Sequence, residues 1–443
     1  MDTNGGHERT DAVVIGGGLA GLAAATYLAR AGRPVVVLER SSQPGGRAMT
    51  TQAGEFSFNL GPHALYKKAA GIAVLRELGI PWTGKQPPLS GNVIREGALH
   101  RVSYSPWWFV SNRLLAPAAK LEAMRALVRV TRADTRALGH ETIGSWLERA
   151  IRHPQVRQLI GALVRVASYV NAPDRLSAQT ALHQVQLAQR GVYYLDGGWQ
   201  TLVDGLRQAA ETAGARIETN APAAAIERDG ADWRVRLGDG ASRRADAVIV
   251  AATPDVAAAL LPETPIARYA AQAVPVRAAC LDVGLRRLPR PDVTFALGLD
   301  QPTYFSVHSA TARLAPEGAA MIHIAKYLSP DDTRDAAETE RGLERVLDLA
   351  QPGWRDELVE RRSLPKMTVA SALPAAEQGG LSGRPAADAT GMAGVFVAGD
   401  WVGGEGWLSD GSLTSAKLAA RLATEYLAGR TVARAVGATA TAR

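Results

Sequence analysis

Gly16, Gly18 and Gly21 stand in the spacing G-x-G-x-x-G, directly after the apolar run Asp11–Ile15 and before a helical run from Leu22 to Ala31. Each glycine has a physical reason in a dinucleotide site: a tight turn at Gly16, close approach of a pyrophosphate at Gly18, and close helix–sheet packing at Gly21. The helix opening near Leu19 would aim free N–H groups and its positive dipole end at the anion. That is worth about 0.3–1 kcal/mol when exposed and up to about 2 kcal/mol when partly buried. Glu39 ends a second apolar run, Pro34–Glu39, 18 residues after Gly21. It is placed to accept hydrogen bonds from ribose hydroxyls, and a carboxylate there disfavours a 2′-phosphate. Pro44-Gly45-Gly46-Arg47 follows at once. Two glycines let the backbone pass close to a diphosphate, and Arg47 can neutralise a phosphate by a bidentate contact. A plain NAD dehydrogenase has no need of this second clamp.

These residues need a strand–turn–helix–strand unit to hold them, and residues 11–39 read as one. Short strands buried on both faces imply a parallel sheet. From about Trp82 to Arg190 the pattern is helical, with Val156, Leu159, Ile160, Leu163, Val164, Ala167 and Val170 at three- and four-residue steps. From Gly191 sheet-like and α/β patterns return, residues 261–381 are mixed, and a buried strand at Gly394–Ala398 precedes a helix over Leu413–Leu427. The expected fold class is α/β: a Rossmann-like dinucleotide-binding domain of the glutathione reductase type, with a parallel sheet, helices and an inserted α+β substrate domain. The first is assembled from residues 1–81, 191–260 and 382–430, the second from 82–190 and 261–381 with a helical cavity wall, and residues 431–443 are expected to be a disordered tail.

Composition narrows the classes. The 443 residues carry a net charge of +7 with 21% charged side chains, an ordinary globular balance. One cysteine, Cys280, excludes an intrachain disulfide and a thiolate metal cluster, and no metal site is expected. The arginines are scattered rather than gathered on an aromatic-interleaved stripe, so nucleic acid is not an expected partner. No signal peptide and no apolar run long enough to cross a bilayer is read, and the expected location is cytoplasmic.

The chain resembles the superfamily of flavin amine oxidases, phytoene desaturases and protoporphyrinogen oxidases, closer to the desaturase branch. The resemblance is carried by Val14–Gly21, Leu38-Glu39-Arg40, Gly45-Gly46-Arg47, Asn59–His63, Tyr194–Trp199, Val395–Trp401 and Gly411-Ser412-Leu413. It implies non-covalent FAD, since Cys280 lies outside the block that carries covalent flavin in some relatives. It brings Leu19, Ala20, Arg40, Gly61, Pro62 and Gly399 to the cofactor as well. It also implies Asp400 beside the ribityl–phosphate part, backbone contact of Ala223 with adenine, and N–H groups near Leu413 at the flavin pyrimidine edge. Gly411-Ser412 precedes a helix, whose positive end would favour the negative charge that a flavin gains on reduction.

No second nucleotide loop follows a strand, so the electrons are expected from the substrate. The resemblance implies that His63, Tyr304 and His308 border the substrate space. Trp407 flanks a glycine loop where shaping the cavity is the preferred reading, and Trp401 shares that loop. Leu408 stands where amine-oxidising relatives carry an aromatic side chain. An apolar residue there suits an alkyl, polyene or ring substrate, so the expected reaction is dehydrogenation of a largely apolar molecule. Amine oxidation to an imine with hydrogen peroxide, and non-redox isomerisation, are the rivals. The electron acceptor is external, dioxygen or another. No side chain is singled out as catalytic. Lys366 near the flavin is a minor reading. The Ser105–Val110 segment, with Trp107, Trp108 and the run Leu121, Met124 and Val128, is weighed as a peripheral membrane contact, and a cavity wall is preferred.

Overall fold

The protein is described by a computed structural model covering residues 9–88, 90–103, 112 and 114–441, with side chains described through residue 431. Trp107 and Trp108 lie outside the described residues. Two seven-stranded sheets carry the fold. In the first, the strand order is Arg216–Glu218, Val35–Leu38, Arg9–Ile15, Ser242–Val250, Asp232–Leu237 and Ala223–Asp229, with Val395–Val397 also paired to Ser242–Val250. The strands from 216–218 to 242–250 and the 395–397 strand run parallel. The 223–229 and 232–237 strands add an antiparallel hairpin. Most of the parallel strands carry a short buried apolar run, Ala12–Ile15, Val35–Leu38, Ala247–Val250 and Val395–Val397, as strands inside a parallel sheet do. Helix Leu19–Arg30 is Ala-rich and almost wholly buried, so it packs close to the sheet.

The second sheet has the order Leu358–Ala370, Val276–Leu285, Ala320–Tyr327, Thr303–Val307, Phe295–Gly298, Gly91–Arg95 and Ala98–Val102. Side chains alternate along its strand Val276–Leu285. Ala279, Leu281, Val283 and Leu285 pack under helix Ala336–Ala350, with Leu343 and Leu347 in the same cluster. Ala278 and Cys280 face the other way. The strands at 91–95 and 98–102 correct the helical reading of residues 82–190 at its start: they form a hairpin that edges this sheet.

The remaining part of that block is helical: Pro117–Arg132, Ile143–Ala150, Pro154–Ser168 and Ala178–Gln189 share one apolar cluster. On the first of these helices Ala119, Ala123, Ala126 and Val130 face inward. Leu121, Met124 and Val128 are 48%, 44% and 51% exposed, so this stripe points outward rather than forming the expected wall. Among the described residues no helix is long and apolar enough to cross a membrane. The last helix runs Ser409–Thr441, beyond the expected end at Leu427 and through most of the expected tail; its alanine-rich continuation favours helix.

Candidate active site

The parallel strands of the first sheet end together. Gly16, Glu39, Ala251 and Gly399 follow, or lie within two residues of, the carboxyl ends of four of them, and all four residues line one cavity of about 1510 Å³. Open α/β sheets bind ligands at this edge. The volume exceeds the roughly 300–1,000 Å³ of a single small-molecule pocket, leaving room for a dinucleotide and a second molecule. The cavity runs on to the second sheet and the helical cluster, where Leu159, Leu163, Val166, Phe295, Leu297 and Leu408 line it.

At the nucleotide end the glycines divide their work. A Cβ at Gly21 would lie 1.8 Å from the Gly16 carbonyl oxygen, and one at Gly16 would lie 2.4 Å from that of Ala251. A Cβ at Gly18 would meet nothing within 4 Å, and Gly18 lines the cavity. Leu19, Ala20, Arg40, Gly45 and Gly46 join it on the wall, with Ala223 farther along. Glu39 is buried, and its carboxylate accepts from the N–H groups of Gly17 (2.7 Å) and Ser41 (2.8 Å).

Arg47 lines the same cavity, and it has protein partners as well. Its Nη1 donates to Asp400 Oδ2 at 2.7 Å and to the Val369 carbonyl at 3.0 Å, so the guanidinium already has an anionic partner. Burial alone would raise the Asp400 carboxyl, but Arg47 and the Ser371 N–H (2.8 Å) hold it below the usual carboxylate range. Oδ1 of Asp400, Oγ of Ser371 and Nε1 of Trp199 are buried without a hydrogen-bond partner among the described residues, and all three residues line the cavity. Buried polar atoms are rarely left so. A bare carboxylate oxygen calls for a hydroxyl donor, as a ribityl chain would provide. Arg384, which carried no sequence signal, donates to the Asp400 carbonyl (2.7 Å) and the Gly406 carbonyl (2.6 Å), locking the loop between them.

Pro62, His63 and Ser412 also line the cavity, whereas Gly61, Gly411 and Leu413 stand behind its wall. Gly61 is needed there because a Cβ would come 2.8 Å from Met367 Sδ. The His63 ring has Nδ1 3.0 Å from the Gly61 carbonyl oxygen and Nε2 3.1 Å from that of Arg47. Burial pushes it down to about 4, so it is a neutral ring tied to backbone. Leu408 lines the cavity from a left-handed backbone (φ 56°), a strained conformation for leucine just ahead of the final helix.

Three expectations about the substrate end are corrected. Trp407 is buried in the helical cluster and not on the cavity wall, because the chain reverses at Leu408 and only the latter faces inward. Trp401 is core: its Nε1 donates to the Ala252 carbonyl at 2.9 Å. His308 lies one layer behind the wall. Tyr304 and Ser306 face the cavity from strand Thr303–Val307, and the turn His308–Ala310 tucks the next ring under Tyr194. Lys366 is exposed, while its neighbours Met367, Thr368 and Val369 line the cavity. Tyr194, read from the sequence as a carrier of the family resemblance, is on the wall, and so is Tyr169, which carried no sequence signal. Cys280 is there too, and burial pushes its thiol well up, so it stays protonated and unreactive.

The profile of the flavin-containing amine oxidoreductases matches residues 19–424. The chain belongs to this family. It is an FAD-dependent oxidoreductase, and the open Gly18 approach together with the unpartnered atoms around Asp400 fits that cofactor. The chain is 27% identical to a phytoene dehydrogenase of Streptomyces griseus over 426 residues, covering 81% of this chain and 80% of that protein. It is 28% identical to a carotenoid 3,4-desaturase of Haloarcula japonica over 280 residues, 54% of this chain and 55% of that protein. A solved oxidoreductase from Methanosarcina mazei shares the fold, with a TM-score of 0.75 at 19% identity over 92% of this chain and 99% of that one.

Proposed function

We propose that this enzyme dehydrogenates a largely apolar organic molecule, introducing a double bond as its desaturase relatives do by name. FAD, bound without a covalent link, supplies the two-electron acceptor, taking a hydride at its N5. The observation that carries the reading is the chemistry of the cavity wall. Its carboxylates among the described residues, Glu39, Asp255 and Asp400, all belong to the nucleotide end, and the far end, around Leu159, Leu163, Leu297 and Leu408, adds only uncharged hydroxyl and amide groups and the cation of Arg277. An ammonium group would find no anion there to offset its desolvation. A lipophilic chain or ring gains about 25 cal/mol for each Å² it buries.

In this reading the FAD-binding unit comprises residues 1–81, 191–260 and 382–430, and residues 82–190 and 261–381 form the substrate side. Gly16, Gly18, Gly45 and Gly46 admit the pyrophosphate, and Glu39 takes the adenosine ribose. Asp400, oriented by Arg47 and Ser371, accepts from the ribityl chain, and the helix beginning at Ser409 faces the flavin ring. The hydrocarbon wall orients the substrate and excludes water. An external acceptor, dioxygen or another, re-oxidises the cofactor.

The test is an anaerobic visible spectrum of the purified holoenzyme before and after addition of polyenes, fused-ring compounds and simple amines. Bleaching of the oxidised flavin bands by a polyene or ring compound is the expected result. Bleaching by amines alone refutes the proposal in favour of amine oxidation.

A further inference from the structure

Behind the apolar wall lies a chain of buried polar side chains for which hydrocarbon packing has no use. Tyr304 faces the cavity, and its hydroxyl is 3.0 Å from His308 Nε2 and 3.1 Å from the hydroxyl of Tyr194. The Tyr194 ring stacks on His308 with centroids 3.9 Å apart, and His323 meets the same imidazole nearly edge-on at 4.5 Å. Beyond it, His323 Nδ1 lies 2.6 Å from Asp282 Oδ1, while Asp282 Oδ2 accepts from Arg362 Nη2 at 2.6 Å. His308, His323 and Asp282 are at most 1% exposed.

The protons of this chain can be placed. Asp282, paired with Arg362, is a carboxylate, so His323 donates to it through Nδ1. His323 Nε2 has no hydrogen-bond partner among the described residues. Burial pulls His308 well below its ordinary basicity, so this ring rests neutral and can present Nε2 as an acceptor to the Tyr304 phenol.

We propose that Tyr304 is the catalytic acid–base group of the dehydrogenation, taking a proton from the substrate on its oxygen while its own proton passes to His308 Nε2. This rests on the desaturase reading above. Removal of two hydrogens from adjacent carbons breaks one C–H bond with its electron pair, which leaves as hydride to FAD. The second C–H bond loses only its proton, and its electron pair becomes the new π bond. Tyr304 ends as a neutral phenol and His308 as an imidazolium. His323, tied to Asp282 through Nδ1 and meeting the His308 ring nearly edge-on, holds that imidazole in place, which makes His323 and Asp282 positioning residues. Once product leaves, His308 returns its proton to the Tyr304 oxygen as the phenol releases its own to water entering the emptied cavity. A carbon next to a centre losing hydride is acidic, so a phenol backed by a neutral imidazole is base enough. The titratable and charged groups around His308 are Tyr304 at Nε2, Tyr194 on its face, His323 at its side with Asp282 and Arg362 behind, and His63 farther off.

The experiment compares holoenzyme and Tyr304→Phe holoenzyme, mixed anaerobically with phytoene as the probe. The variant should keep its FAD and its affinity for phytoene. Its limiting rate of flavin reduction should fall about 10²–10⁴-fold, the usual worth of a general acid–base, whereas a rate within about threefold of the parent overturns the proposal. The parent rate should also decline on the acid side as His308 is protonated beforehand, and the variant should lack that limb. If phytoene leaves the parent oxidised, the desaturase reading is what fails for this probe. The relay is then judged on the protein alone, by nitrogen NMR of ¹⁵N-histidine-labelled holoenzyme assigned against His308→Gln. His308 Nε2 should be unprotonated at neutral pH and should shift in Tyr304→Phe. A protonated Nε2, or one indifferent to the phenol, overturns the proposal.

Discussion

Gly18 and Gly21 sit three positions apart and are glycine for opposite reasons. At Gly21 any side chain collides with the Gly16 carbonyl 1.8 Å away, and the strand–helix unit itself would have to move. At Gly18 the backbone is extended (φ −77°, ψ −176°), a conformation open to every residue, and a Cβ meets nothing in the chain. Gly18→Val should therefore fold with unchanged circular dichroism and lose the cofactor, with FAD affinity weakened by about 100-fold or more, some 2.7 kcal/mol. A flavin titration checks this, and a variant that still holds one FAD per chain refutes the site. The contrast also marks how far single residues were legible. Motif glycines and Glu39 announce themselves by spacing. The protein partner of Arg47 does not, because Asp400, 2.7 Å away, lies 353 residues along the chain.

Whole elements were legible where one physical pattern dominated them. Most of the parallel strands contain a run of apolar residues, such as Ala12–Ile15 and Val35–Leu38, and helix Pro154–Ser168 keeps a three-to-four-residue stripe, so both stand out in the sequence. Strands Gly91–Arg95 and Ala98–Val102 do not: they sit at a sheet edge, half exposed, with arginine, asparagine and histidine among them, and they precede a long helical stretch. Leu358–Ala370 is another edge strand, polar and exposed at alternate positions, and it read only as mixed. The final helix carries its own pH dependence. Asp410 in its first turn accepts from the Gly71 N–H at 3.0 Å, and although a helix start favours a carboxylate, burial pushes this carboxyl up to about 7. Unfolded, it titrates near 3.9. Between about pH 4 and pH 7 the folded chain holds a proton that the unfolded chain has released, so stability falls as pH rises through that window and levels off above it. The loss is up to about 4 kcal/mol. Asp410→Asn retains an acceptor for Gly71 and should lack that slope in thermal melts across pH 4–8. Equal slopes in the two proteins refute the assignment.

At the scale of the molecule, the cavity is what joins the two sheets chemically. Arg47 bonds at once to Asp400, beyond the end of the 395–397 strand of the first sheet, and to the carbonyl of Val369 in the edge strand of the second. Ser371, just past that edge strand, closes the same loop by donating to Asp400. A cofactor satisfying the bare oxygen of Asp400 and the hydroxyl of Ser371 would be held by residues on both sides, with its pyrophosphate at Gly18 some distance along the first sheet. FAD should then stabilise the whole chain rather than the glycine loop alone. By linkage the gain is about 2.7 kcal/mol at a free concentration one hundred times Kd, and it grows with concentration. Hydrogen exchange of apo and FAD-loaded protein should accordingly show protection around Gly16–Gly21 and also at Val369–Ser371 and Gly399–Asp400. Gly18→Val should show neither the protection nor a rise in Tm on adding FAD. Protection limited to the glycine loop would mean that the flavin end is not seated across the two sheets, and that the unpartnered atoms around Asp400 await a different ligand.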